Sequence, residues 1–193
     1  EWLITNGLGG YASSTILGIN TRKYHGLLVG ALQPPGNRTV CLTKLDESIE
    51  VGDTIHQISA NQFSDVIYPE GFRFLESFSV SPYPLFVYEA GQVIVSKTLF
   101  MPRGKNVVAA IYKINNQNRI NAQISITPLV TCRHFHQVVN RSEGFQGFHQ
   151  NQTDQNEVEL TFETPSVKLI ARATEGEFHT KHNWIERLFY SEE

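Results

Sequence analysis

The sequence predicts an all-β fold: an antiparallel β-sandwich with few or no helices. Three observations carry that prediction. Strand-forming segments are short and recur with turn signals about every 8–12 residues, as in sandwich domains. Helix signals are scarce, since few long windows repeat with the helical period and the chain has a single methionine. Residues 157–163 alternate strictly, with Val158, Leu160 and Phe162 on one side and Glu157, Glu159, Thr161 and Glu163 on the other.

The elements follow in order. Residues 73–80 read as a strand broken by Pro82 and Pro84, because proline cannot donate to a ladder. Residues 85–90 and 92–100 read as two strands joined at Gly91, the second ending before Pro102. Residues 106–114 form a β-branched run ended by the turn-forming Asn-Asn-Gln-Asn of 115–118. Residues 119–130, with Pro128 near their end, follow it, so the two segments are expected to form a second hairpin. The alternating segment 157–163 turns at Pro165 into a strand over 167–173. Residues 144–155, rich in Gln and Asn, are expected to be a surface loop. No repeat or internal linker divides the chain, so 1–193 reads as a single domain.

Composition excludes several partners. Hydrophobic residues are 40% and charged residues 18% of the 193, enough apolar matter for a real core. The net charge is −3 and the 16 basic residues are scattered, which argues against nucleic acid or an anionic membrane surface. No apolar run approaches the roughly 18 residues of a membrane helix. The chain begins at Glu1 rather than Met, so its start reads as trimmed and says nothing about export. Cys41 and Cys132 are far apart in sequence and form neither a Cys-x-x-Cys nor a zinc spacing. They read as unbridged thiols of a reducing compartment, and a cytoplasmic location is expected. Asn-x-Ser/Thr sequons at Asn37, Asn140 and Asn151 are short enough to arise by chance.

The densest stretch is NGLGGYASSTILGINTRKYHGLLVG, residues 6–30, with Gly7, Gly9, Gly10, Gly18, Gly26 and Gly30. Residues 7–12 fit G-x-G-x-x-A, a form of the dinucleotide fingerprint. Its context is wrong, because the segment before it is too short and mixed for a buried strand, Ser13-Ser14-Thr15 is poor in helix formers, and residues 21–45 hold no acidic residue. What remains is a glycine-rich loop that lets backbone pass close to a neighbouring strand or a ligand. Residues 21–29 read as a strand entering the core, with Arg22 and Tyr24 on one face, Lys23 and His25 on the other, and Gly26 marking a bulge. Arg22 and His25 are then either structural, as an ion-pair partner and a half-buried hydrogen-bonded imidazole, or placed to meet a ligand.

Other candidates are weaker. Arg133-His134-Phe135-His136 sets two imidazoles on one strand face, but no third ligand lies in reach and no metal is assigned. Asp46 and Glu47 are adjacent, so on a strand they point to opposite faces and make a poor acid/base pair. There is no G-x-S-x-G, P-loop or nucleophile signature, and no cofactor motif. Trp2, Tyr11, Tyr24, Trp184 and Tyr190 could stack on sugar rings, although aromatics more often fill cores.

The opening segment EWLITNGLGGYASSTILGINTRKYHGLL, Glu1 to Leu28, resembles the start of the N-terminal domain of bacterial and archaeal glycogen debranching enzymes of the amylo-α-1,6-glucosidase family. That family reads E-W-L-x-T-N-G-L-G-G-Y-A-S, then T-R-x-Y-H-G-L-L, and every one of those positions is met here. RTVCLTKLDESI (38–49) resembles the family's next segment. ITPLVTCRHFHQV (126–138) resembles a later L-x-P-L-x-x-x-R-x-x-H, matched at Arg133 and His136, with His134 where Asp is common. HNWIERLFYSEE (182–193) resembles the stretch leading out of the domain.

The resemblance implies a β-supersandwich preceding an (α/α)₆ barrel. In the full-length enzyme the barrel carries the two carboxylates that hydrolyse α-1,6-glucosidic branch bonds of glycogen and limit dextrin. On that reading this chain is the non-catalytic N-terminal domain, inactive alone and without cofactor or metal. Its partners are the C-terminal catalytic domain of the same polypeptide and the α-glucan substrate, not nucleic acid or membrane. Asn6, Gly9, Gly10, Tyr11, Arg22, Tyr24, His25, Arg133 and His136 are the expected interdomain or glucan contacts. The competing readings are a free-standing carbohydrate-binding β-sandwich and a purely structural domain.

Overall fold

A computed structural model of the chain describes residues 1–117, 119–140, 147–163, 165–179 and 183–192. Among these there is no α-helix; one 3-10 turn, Gly71–Phe74, interrupts the strands. The all-β, antiparallel expectation is met. The chain forms two compact units, 1–136 with 187–193, and 137–186.

In the first unit the strands are β1 (Trp2–Thr5), β2 (Tyr11–Ser14), β3 (Gly26–Gln33), β4 (Gly36–Val51), β5 (Thr54–Gln57), β6 (Ala60–Gln62), β7 (Ile67–Glu70), β8 (Leu75–Val80), β9 (Pro84–Ala90), β10 (Val93–Phe100), β11 (Ala109–Asn116) and β12 (Ala122–His134). One sheet runs β1-β2-β3-β4-β12, with β5 also on β4; a second runs β11-β10-β9-β8; β6 and β7 form a small third. The two larger sheets face each other. Trp2 of β1 meets Phe86 of β9 edge-on at 6.1 Å between ring centroids. Glu47 of β4 accepts a hydrogen bond from Lys97 Nζ of β10 at 2.5 Å.

Period-two patterning explains how these strands sit. On β10 every second residue (Val93, Val95, Lys97, Leu99) is buried while Ile94, Ser96, Thr98 and Phe100 are not. On β9 Pro84, Phe86, Tyr88 and Ala90 point the same way. In β3, by contrast, Gly26 to Ala31 are buried without a break, as suits a strand covered on both sides. The second unit holds β13 (His149–Asp154), β14 (Glu157–Phe162) and β15 (Val167–Arg172) as one antiparallel sheet. Val158, Leu160 and Phe162 of β14 are buried, as their alternation requires.

Four expectations are corrected. The hairpin expected between 106–114 and 119–130 does not form: β11 pairs with β10 from Phe100↔Ala109 onward, and β12 pairs with β4. Turn residues signal that a strand ends, not which sheet the chain enters next, and the long β4 offers β12 buried cross-strand partners such as Ile49 opposite Ile124. Residues 106–108 stay outside β11 because the Asn106 side chain is bound to Ala31 instead. The surface loop expected over 144–155 is β13 from His149 to Asp154, a polar edge strand held by its ladder to β14; residues 144–146 lie outside the described residues. The strand expected from Arg73 begins only at Leu75, because the 3-10 turn precedes it and Gly71 donates its N–H to Ser59. Asn118, His182 and Glu193 also lie outside the described residues.

Candidate functional site

The glycine-rich loop between β1 and β2 is organised by Asn6, which is fully buried. Its Oδ1 accepts from Leu8 N at 2.9 Å and Gly10 N at 3.0 Å, and its Nδ2 donates to Lys105 O at 3.0 Å and Asn106 Oδ1 at 2.9 Å. Asn106 in turn grips β3, accepting from Ala31 N at 3.1 Å and donating to Ala31 O at 2.8 Å. The glycines serve this packing. Gly9 has φ +97°, and a Cβ there would lie 2.3 Å from the carbonyl oxygen of Pro35; one on Gly10 would lie 2.6 Å from Asn6 Nδ2. The loop thus approaches the β3–β4 hairpin of its own unit. Arg38 Nε on that hairpin donates to Gly9 O at 2.7 Å.

Residues 22–24 form a turn, not the strand expected over 21–29, closed by His25 N donating to Arg22 O at 3.0 Å; β3 begins at Gly26. The expected pairing of faces therefore fails, since alternation applies only to extended backbone. The bulge expected at Gly26 lies slightly further on, where the β2–β3 register slips between Ser13↔Gly26 and Tyr11↔Val29.

The turn separates the candidates into two groups. Arg22 and His25 converge on Glu1: Arg22 Nε donates to Glu1 Oε1 at 2.8 Å, and His25 Nε2 lies 3.4 Å from the same oxygen. Arg22 also reaches Glu192 at 3.9 Å. His25 is buried, and its Nδ1 accepts from Thr21 N at 3.1 Å, so the proton of a neutral ring sits on Nε2, toward Glu1. The Arg22 hydrogen bond holds the Glu1 carboxyl below its ordinary range, against a smaller opposing effect of burial.

The other group surrounds Tyr24. Tyr11 Oη donates to Tyr24 O at 2.8 Å, and Arg133 donates to Lys23 O at 2.5 Å, so both brace the turn from beneath. Burial pushes the Tyr11 phenol up. Tyr24 Oη lies 3.0 Å from His136 Nδ1, and its ring packs edge-on against Phe135 and His136 at 5.5 Å each. Arg38 covers Phe135 at 5.6 Å, and Lys23 lies 5.3 Å from the Tyr24 ring centroid. His136 is exposed, and Tyr24, Phe135 and His134 are half-buried. The result is a cluster of rings flanked by cations and open to solvent, a surface that can stack on an apolar ring face and donate to hydroxyls.

His134 and His136 do not share a strand face as expected. β12 ends at His134 and the chain turns, leaving the rings 5.2 Å apart. No group of three His, Cys, Asp or Glu able to hold a metal occurs among the described residues. Trp2 is core, its indole donating to Thr15 O at 3.2 Å.

The adjacent carboxylates are engaged separately. Glu47 is buried and accepts from Lys97, from Tyr112 at 2.6 Å and from Ser59 at 3.0 Å. Asp46 pairs with Lys44 at 3.0 Å and accepts from Asn61 at 2.9 Å. The cavity beside Glu47 and Lys97 holds about 30 Å³, room for water and not for a sugar ring.

Glu1 opens the family motif, but the sequence alone gives neither it nor Arg38, Phe135 or Asn106 a role in the site. Arg38 and Phe135 lie inside family-like segments, whereas Asn106 carries no sequence signal, since its role depends on a partner 100 positions away.

Among the described residues no helix is long and apolar enough to cross a membrane. A family model described as glycogen debranching enzyme N terminal matches residues 1–193, the whole chain. No curated protein and no solved structure matches it.

Proposed function

Given that this chain belongs to the glycogen debranching enzyme N-terminal family, we propose that it is the non-catalytic N-terminal domain of an enzyme that hydrolyses α-1,6-glucosidic branch bonds. In this reading it supports a C-terminal catalytic domain of the same polypeptide. The observation that carries the reading is the solvent-facing cluster of Tyr24, Phe135 and His136, braced by Tyr11 and Arg133, beside the Glu1–Arg22–His25 group. Folding alone asks for no such concentration of rings and cations around one turn. The Asp46–Glu47 carboxylates supply no catalysis, because general acid and base must flank one bond about 5–10 Å apart, and these two are tied to different partners.

A second reading is favoured by the same half-buried rings: direct contact with α-glucan, the sugar's apolar face lying against Tyr24 and Phe135. The test compares purified residues 1–193 with the full-length enzyme on limit dextrin. The expected result is glucose release by the full-length enzyme alone. Turnover by the short chain, abolished by replacing a carboxylate within it, would overturn the proposal. Tight glucan binding by the short chain alone would favour a free-standing carbohydrate-binding module instead.

A further inference from the structure

We propose that Cys41 and Cys132 form a dithiol site that a small-molecule disulfide converts to an intramolecular cystine joining β4 to β12. The inference rests on the cysteine pair and not on the function proposed above. Both residues are buried and unbridged. The β4–β12 register runs Leu42↔Val130 and then Val40↔Arg133. Cys41 therefore stands alone opposite Thr131 and Cys132, a bulge of two residues against one. Facing residues on antiparallel strands have Cα atoms about 4.5–5.5 Å apart, inside the roughly 4.4–6.8 Å that a disulfide spans.

The bulge brings the two thiols close enough that each shifts the other's ionisation, and Cys41 Sγ donates to Thr39 O at 3.6 Å. Their environments differ in sense. The neighbouring Cys41 thiol holds Cys132 below its ordinary value, whereas Cys132 and burial push Cys41 well above its own. Cys132 is thus the group that ionises first, and the thiolate is the nucleophile.

The exchange balances in two steps. Cys132 thiolate attacks one sulfur of the small disulfide, and the other half leaves as a thiolate. Cys41 then gives up its proton, attacks the Cys132 sulfur and displaces the second thiolate. Two thiols of the protein are oxidised and one small disulfide is reduced to two thiols. Because both sulfurs are covered, the reagent enters by local opening at the end of β12. The cross-link would fasten β12 one residue before Arg133, whose guanidinium holds the carbonyl of Lys23.

The test incubates the native protein with oxidised glutathione, quenches in acid, and alkylates in denaturant. The expected product is a monomer two hydrogens lighter than the reduced chain that takes up no alkyl group. Its Cys41 and Cys132 peptides map as one linked species, and its unfolding midpoint rises by several degrees, reversed by dithiothreitol. Cys41→Ser should trap glutathione on Cys132, and Cys132→Ser should leave Cys41 unmodified. Wild-type protein that stays fully alkylatable, keeps a glutathione adduct, or links only between chains would overturn the proposal, whether or not the variants fold.

Discussion

The side-chain amides of Asn6 and Asn106 lie 2.9 Å apart, though 100 positions separate them in sequence. Through this contact the first loop, the β10–β11 connection and β3 are held as one polar knot inside an apolar unit. Asn6→Ala would leave Leu8 N, Gly10 N, Lys105 O and one side of Asn106 without a partner. Only the Gly10 N contact is fully buried, and an orphaned buried group costs about 1–3 kcal/mol, less where water reaches it. The expected loss is on the order of 3–5 kcal/mol, with Asn106→Ala comparable, and denaturant unfolding of the domain reads it directly. A loss under about 1 kcal/mol would mean that water replaces the amide.

Gly9→Ala and Gly10→Ala test why the loop is rich in glycine. A methyl at Gly9 meets Pro35 backbone at 2.3 Å and occupies a left-handed φ of +97°. Since backbone cannot swing aside as a side chain can, a loss of roughly 2–4 kcal/mol is expected. Gly10→Ala presses on the Asn6 amide, and its effect should overlap with that of Asn6→Ala in a double-mutant cycle. Full additivity would contradict the geometry.

What the sequence disclosed follows from locality. Val158, Leu160 and Phe162 announce β14 because alternation is a property of neighbours. The hairpin at Gly91 was legible for the same reason, as turn and flanking strands sit together in sequence. The pairing of β12 with β4 was not, because it joins segments some 80 positions apart and no turn encodes it. Residues 22–25 depart from the strand expectation for a subtler reason. Four polar or aromatic residues before an apolar run look extended, and only the Arg133–Lys23 contact from a distant strand shows that they must turn. The resemblance gathers the motif residues as one set, and their division into a Glu1 group and a Tyr24 group is a tertiary fact.

Lys97 and Glu47 form a buried ion pair whose carboxylate is also satisfied by Tyr112 and Ser59. Lys97→Met would strand that carboxylate without its cation, at an expected cost of about 3–5 kcal/mol. Adding Glu47→Gln should recover part of the loss, since the stranded charge disappears. A double variant no better than the sum of its singles would show that the pair is not coupled.

Alkaline stability should depend on buried phenols. Burial, and secondarily the Glu47 carboxylate, push Tyr88 and Tyr112 above the ordinary tyrosine value. The unfolded chain therefore loses these protons first, and the stability they confer is complete below about pH 10 and declines as pH rises beyond it. Lys44 works in the opposite sense, because burial lowers its ammonium and the folded state deprotonates first. Unfolding free energies of wild type and Tyr112→Phe, compared between about pH 8 and pH 11, should show a shallower alkaline decline in the variant. An unchanged slope would mean that Tyr112 ionises in the folded state.

On the function proposed above, the face around Tyr24 serves a larger enzyme and not the stability of this domain. The most direct measurement is kcat/KM of the full-length enzyme on limit dextrin, for His136→Ala and Arg22→Ala, with the melting temperature of the same proteins. His136 is exposed and Arg22 has a side chain 40% exposed, so neither should lower the melting temperature appreciably. Each should still lower kcat/KM by on the order of tenfold, since displacing a positioning contact by about 1 Å is costly. A melting temperature that falls by several degrees, with kcat/KM per folded molecule unchanged, would contradict that role.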